Sequence, residues 1–225
     1  PFTRGREKYR PLRFILDEVR RLAERGYLEV QLLGQNVNSY RDPESGADLP
    51  ELLFRISEIS GIEWIRFLTS QPKNFTRELS QAMASIKKVC HQLHLPLQSG
   101  SNRILQKMNR NYTREEYLEK VEYLRSLITD LSLSTDLIVG FPTETEEDFL
   151  ETMELLEKIR FNNIFSFRYS PRPNTAASKM KDDVPEEIKI DRLIRLQSRQ
   201  KEIQLELNRQ FIGQTIKVLC LGRSK

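Results

Sequence analysis

The chain has 225 residues, 38% of them hydrophobic and 30% charged, which excludes a membrane-embedded protein, a collagen-like repeat and a low-complexity chain. Lys and Arg number 36 against 32 Asp and Glu, and the pI is near 9.1; this mild basic excess permits a nucleic-acid partner without demanding one. No apolar run approaches the roughly 18 residues of a transmembrane span, no leader peptide opens the chain, and the two cysteines, Cys90 and Cys220, lie too far apart in sequence for a disulfide framework, so a reducing compartment is expected.

Helical and strand periods alternate along the chain. Pro11 to Arg25 reads as a helix on Leu12, Ile15, Leu16, Val19 and Leu22, stopped by Gly26. Leu28 to Leu33 is a short strand and Gly34 to Asn38 its exit. Leu49 to Ile59 is a second helix, Glu63 to Leu68 a second strand, and Thr69-Ser-Gln-Pro72 the exit from it. A helix near Arg77–Lys87 precedes the strand His91–Leu95, whose exit is Pro96 to Ser101. Thr113 with Glu116 is a capping box, and Tyr117, Val121, Leu124 and Ile128 form the stripe of the helix it opens. Ser132 to Val139 is a strand with the exit Gly140 to Glu144; Thr143 or Thr145 caps the next helix. Asn163 to Tyr169 is a strand with the exit Ser170 to Asn174, Pro185 opens a long helix to about Arg209, and Thr215 to Leu221 reads as a lone final strand.

Five strand–helix units of this kind predict parallel crossovers, hence an α/β barrel or an open doubly wound sheet, and five are too few to close an eight-stranded barrel. Ligands in such folds sit at the carboxyl ends of the strands. Here those exits are rich in amides, hydroxyls and glycines and poor in catalytic acids and bases, which suits a nucleoside-like cofactor that brings its own chemistry. Ordinary turn chemistry accounts for any one exit; five on one rim favour a ligand site. His91 and His94, three apart on a strand, point to opposite faces and do not share a metal ion. Cys90 is expected to be a small core residue, and Asp182-Asp183 and Glu144, Glu146, Glu147 and Asp148 to be helix-start charges. No Ser-His-Asp order, Walker loop or GxGxxG is present.

Particular segments add a resemblance. Pro1-Phe-Thr-Arg-Gly-Arg-Glu7 with Arg10-Pro11, Leu32-Leu-Gly-Gln-Asn-Val-Asn-Ser-Tyr40, His94-Leu-Pro-Leu-Gln-Ser-Gly-Ser-Asn-Arg103 with Met108-Asn-Arg110, Asp136 to Glu144, and Phe167 to Arg172 together resemble the methylthiotransferase branch of the radical S-adenosylmethionine (SAM) enzymes. The match is to the MiaB type, which makes 2-methylthio-N6-isopentenyladenosine beside the anticodon of tRNA. The resemblance implies a partial (βα)6 TIM-like barrel of which this chain supplies five units. Residues 1–210 would be the radical SAM core and 211–225 the start of a truncated TRAM RNA-binding domain. The family's C-x-x-x-C-x-x-C cluster motif directly precedes the segment matched by Pro1–Glu7, so the motif and the first strand are expected upstream of Pro1; neither cysteine of this chain matches a cluster ligand, and the chain alone is expected to be inactive.

The same resemblance implies SAM and two 4Fe–4S clusters as cofactors of the whole enzyme. Gln35 and Asn36 would face the SAM methionine end or the target base. Ser70, Gln98, Ser99 and Arg110 would bind SAM polar groups, Arg110 at the carboxylate, with Gly100 allowing close approach. Asp136 would reach a ribose hydroxyl, and Gly140 and Tyr169 would line the adenine. Asn38 and Arg172 would meet the substrate, and Arg4, Arg6, Lys8 and Arg10 the phosphates of an anticodon stem-loop. The implied partners are tRNA and an electron donor such as flavodoxin or ferredoxin, in the cytoplasm and off the membrane. The alternatives are a methylthiotransferase acting on threonylcarbamoyl-adenosine in tRNA or on a ribosomal protein, or an inactive α/β binding fragment.

Overall fold

The computed structural model describes residues 8–34, 36–68, 71–220 and 222; Arg4, Arg6, Gln35 and Ser70, expected at the site, lie outside the described residues. A first helix, α1 (Leu12–Glu24), precedes five strand–helix units: β1 (Glu29–Leu32) and α2 (Leu49–Ser57); β2 (Trp64–Phe67) and α3 (Arg77–Ser85); β3 (Gln92–His94) with α4 (Asn102–Lys107) and α5 (Arg114–Leu127); β4 (Ser132–Val139) and α6 (Glu146–Ile159); β5 (Asn163–Arg168) and α7 (Glu186–Arg209). The ladders β1–β2, β3–β4 and β4–β5 are all parallel. A single parallel bridge, Ile65 to Val89, joins the two hydrogen-bonded groups, so the strands follow chain order across the sheet. This is the partial TIM-like α/β barrel that the family resemblance implied, one of the two parallel architectures the strand–helix count left open.

Local chemistry sets the helix boundaries. The Thr113 amide donates to Glu116 Oε2 at 2.9 Å and the Glu116 amide to Thr113 Oγ1 at 3.2 Å, the reciprocal box read from sequence. Thr145, not Thr143, caps α6, through the same exchange with Asp148. Asp48 and Thr76 cap α2 and α3. Along β4, Leu133, Thr135, Leu137 and Val139 are buried while Ser134, Asp136 and Ile138 are half-buried, the period-two signature of a strand with one covered and one partly open face. Asp136 and Ile138 stand opposite Phe165 and Phe167 of β5, which are 49% and 55% exposed.

The α5 helix is stapled to the exit of β3 by two tyrosines. Tyr117, fully buried, donates to the Leu95 carbonyl at 2.7 Å, and Tyr112 donates to the Leu97 carbonyl at 2.9 Å. Burial pushes the Tyr112 phenol up to about 12 and the Tyr117 phenol further still.

One expectation is corrected. The expected final strand over Thr215–Leu221 does not form in its described part: residues 214–220 carry no regular structure and join no ladder. Lys217 instead pairs with Glu63 and lies 4.9 Å from the centre of the Trp64 ring. Gly100 packs closely against α6. A Cβ there would meet the Glu151 carbonyl oxygen at 2.6 Å and the Thr152 amide at 2.8 Å, both backbone atoms of α6. Gly100→Ala is therefore expected to lower stability by about 1–3 kcal/mol or more, since the helix must move, and urea unfolding measures it.

Candidate functional site

At the exit of β1, the Asn36 and Asn38 side chains cross to the exit of β2. Asn74 Nδ2 donates to Asn36 Oδ1 at 3.2 Å, and Asn38 Nδ2 donates to the Gln71 carbonyl at 3.4 Å. The Asn38 Oδ1 atom is buried with no protein partner. Ser39 donates to the Asn36 carbonyl at 3.0 Å and bonds the Tyr9 hydroxyl at 3.1 Å, while the Tyr40 hydroxyl donates to the Arg10 carbonyl at 3.0 Å. The first two exits are thus one interlocked amide surface.

The exit of β3 differs. Gln98 continues the ladder, donating its amide to the Asp136 carbonyl at 2.8 Å and accepting from the Ile138 amide at 2.9 Å. It does so with φ at +72°, a conformation that costs a non-glycine residue of order 1 kcal/mol or more and points to a constraint beyond pairing. Gln98, Ser99 and Ser101 are buried, and so is Gly100. Ser101 Oγ donates to Asp148 Oδ1 at 2.7 Å and Arg103 Nε to the same oxygen at 3.1 Å. Burial opposes ionisation of Asp148, yet the bonds from Arg103, Ser101 and Thr145 outweigh it and hold the carboxyl well below the usual range. The Ser99–Ser101 run therefore sits behind the rim, with Gly100 and Ser101 latched to α6. Arg110, past α4, leaves its Nε buried and without a protein partner.

At the exit of β4, the Gly140 amide donates to Glu144 Oε2 at 2.6 Å, and Arg192 Nη1 of α7 donates to the same oxygen at 2.8 Å. Burial pushes the Glu144 carboxyl up to about 7 against the pull of the Gly140 amide and the Arg192 guanidinium. Gly140 has φ at +70°, and a Cβ there would meet Lys189 Cδ at 3.0 Å and Cγ closer still, so the glycine is required by α7. Lys189 Nζ in turn donates to Asp182 at 2.6 and 2.7 Å. Glu144 and Asp182 are thus tied to α7 through Arg192 and Lys189, a correction to their reading as helix-start charges, whereas Asp148 stands in the first turn of α6 as expected and also takes Arg103. Sequence spacing held no signal for the Arg192–Glu144 and Arg103–Asp148 pairs, because their partners lie more than forty residues apart.

Below that rim, His94 Nε2 lies 3.5 Å from Asp136 Oδ1 and its Nδ1 lies 3.1 Å from Ser134 Oγ; His91 turns elsewhere, to Asp130 at 2.6 Å. At the exit of β5, Tyr169 packs edge-on against Phe141 with centroids 5.1 Å apart and donates its hydroxyl to the Ala177 carbonyl at 3.0 Å. Arg172 and Lys8 are exposed. Asn36, Asn38, Asp136 and Tyr169 reach the rim as half-buried polar groups, whereas Ser99 and Gly100 do not.

Among the described residues no group of three or more His, Cys, Asp or Glu side chains is arranged to hold a metal ion. Cys90 is half-buried rather than core, and burial pushes its thiol up; Cys220 is exposed. Two thiols are too few for a 4Fe–4S cluster, so the residues present do not fit that group. They do fit a polar nucleoside-like ligand: Asn38 Oδ1 and Arg110 Nε are buried polar atoms that the protein leaves unpaired, and such atoms normally find partners.

The model of the radical SAM superfamily matches residues 1–156. The chain belongs to the radical SAM superfamily. Solved structures share its fold: coproporphyrinogen III oxidase (HemN) from Escherichia coli, a radical SAM enzyme, superposes with a TM-score of 0.60 at 15% identity, over 85% of this chain and 46% of that one. Methylornithine synthase (PylB) gives 0.53 at 13% identity, over 84% and 58%. Among curated radical SAM relatives, the tRNA-2-methylthio-N(6)-dimethylallyladenosine synthases of Thermoanaerobacter sp. (strain X514) and Aquifex aeolicus are each 50% identical, covering 100% and 97% of this chain. The chain spans about half the length of these relatives, 48% and 50%.

Proposed function

We propose that this chain is the SAM-binding core of a tRNA methylthiotransferase that places a methylthio group on carbon 2 of N6-isopentenyladenosine beside the anticodon. The observation that carries the reading is the 50% identity to synthases of that name across the entire chain. When bound, SAM supplies the radical chemistry and the methyl group. In this reading Asn36 and Asn38, with Gln35, present a base-reading amide edge at the exit of β1. Gln98 and Arg110, with Ser70, hold SAM polar groups; Asp136 takes a ribose hydroxyl, steadied by His94; Tyr169 and the Gly140 backbone bound the adenine space. Ser99 and Gly100 serve by holding Gln98 in place. The cluster thiolates come from outside this chain's cysteines, the substrate is an anticodon stem-loop met by Arg4, Arg6, Lys8 and Arg172, and an electron donor such as flavodoxin or ferredoxin completes the system in the cytoplasm. No helix among the described residues is long and apolar enough to cross a membrane.

Mass spectrometry of tRNA nucleosides from a strain lacking the gene tests this. The 2-methylthio derivative should disappear and N6-isopentenyladenosine accumulate, and the gene in trans should reverse both. Persistence of the methylthio nucleoside would overturn the reading.

A further inference from the structure

The segment from Ser170 to Val184 carries β5 into α7, and its charges are sorted by sign. Both acids turn to the protein: Asp182 to Lys189, and Asp183 Oδ1 to the Thr143 amide at 2.6 Å. The three cations, Arg172, Lys179 and Lys181, are exposed, and no ion pair among the described residues includes them. Neighbouring cations are all engaged: Arg168 with Glu186, Arg192 with Glu144, Arg195 with Glu146 and Arg199 with Glu157. The loop is also pinned. Tyr169 holds Ala177, Thr175 Oγ1 donates to the Arg172 carbonyl at 2.8 Å, the Ser178 amide donates to Thr175 Oγ1 at 3.2 Å, and Val184 is buried. Pro171 and Pro173 restrict the backbone on either side of Arg172.

We propose that this loop is a pre-set platform for RNA phosphates at the exit of β5, with Arg172, Lys179 and Lys181 each meeting the backbone; this rests on the tRNA reading above. Three cations without an ion pair within ten residues repel one another; phosphate charge relieves that repulsion, and the counterions that the polyanion releases add to the affinity. The fixed backbone lowers the ordering cost of binding. The loop offers no exposed aromatic or large aliphatic anchor of the kind a protein partner or an acyl layer takes up; its Met180 is half-buried. The contacts give position and affinity without reading sequence.

The test is salt-dependent binding of the intact protein to an anticodon stem-loop hairpin. In the triple variant Arg172→Gln, Lys179→Gln, Lys181→Gln, the log–log salt slope should flatten by about two to three units, at roughly 0.7–0.9 per contact. The loss of affinity between 50 and 200 mM salt then shrinks by about 20- to 40-fold. A charge-matched triple at Lys87, Lys201 and Arg209, exposed residues near the carboxyl ends of α3 and α7, should keep the parental slope. Unfolding midpoints equal to the parent's show that both variants are folded. A parental slope in the loop triple, or equal flattening in both triples, overturns the platform and leaves the tRNA reading standing. A parent protein with no affinity for the hairpin at low salt overturns both.

Discussion

Asn38→Ala, in the intact enzyme, is expected to lower the yield of methylthio-nucleoside on the order of a hundredfold and to leave 5′-deoxyadenosine release without RNA close to the parent's, because misplacing a reacting group by about 1 Å costs that much. Asn38 is tethered at one end of its amide, to the Gln71 carbonyl, and its Oδ1 is buried without a partner. An acceptor held that way is preorganised for a donor that arrives with the substrate. Gln98→Ala should instead weaken SAM binding itself: the backbone of Gln98, held to β4 with φ at +72°, fixes where its side chain stands, and alanine removes that amide while keeping the backbone bonds. Paired assays on each variant decide the matter. If Asn38→Ala abolishes cleavage without RNA as severely as Gln98→Ala does, the two exits serve one ligand and the base is read elsewhere.

Arg192→Met should destabilise the fold by about 3–5 kcal/mol, the usual penalty for leaving a buried charge without its partner. Arg192 and Glu144 are both about 95% buried, and the pair locks α7 onto the turn that follows β4. Adding Glu144→Gln should recover most of the loss, because glutamine still accepts from the Gly140 amide and brings no charge. The pH dependence has a definite sign. Glu144 is pushed up to about 7 from its ordinary 4.5, so stability associated with its protonated form is full below 4.5 and declines as pH rises through 7. The deficit of the single variant should therefore be smaller at pH 5.5 than at pH 8, and absent from the pH profile of the double variant. Equal deficits at both values, or a double variant as unstable as the single, would show that the pair is not what holds the turn.

The strands were legible because each couples a short apolar run to a polar exit, and the helices because Thr113, Thr145 and Gly26 announce their ends locally. The six-residue α4 escaped, being too short to display a periodic face. Thr215–Leu221 misled in the opposite way: Ile216 and Val218 alternate with polar residues as in a strand, but propensity without a paired neighbour does not make one. At the site, the polar composition of the rim could be read directly. What could not be read was which exit residues face a ligand. Gly100 and Gly140 look like cofactor glycines in sequence, yet their missing side chains make room for α6 and for Lys189, elements that lie far along the chain.

Among the described residues β5 is hydrogen-bonded on one edge only, and Phe165 and Phe167 stand half exposed beside it. Under the proposed tRNA reading, this edge bears on how the substrate arrives. A closed cylinder of strands admits what can descend its axis, which suits a free metabolite and defeats a residue in the middle of a polymer, whose chain continues in both directions. A sheet with a free flank has no such rule of entry. A nucleotide still joined at its 5′ and 3′ sides can be presented sideways, and it leaves by the same path without threading, cutting or unfolding either molecule.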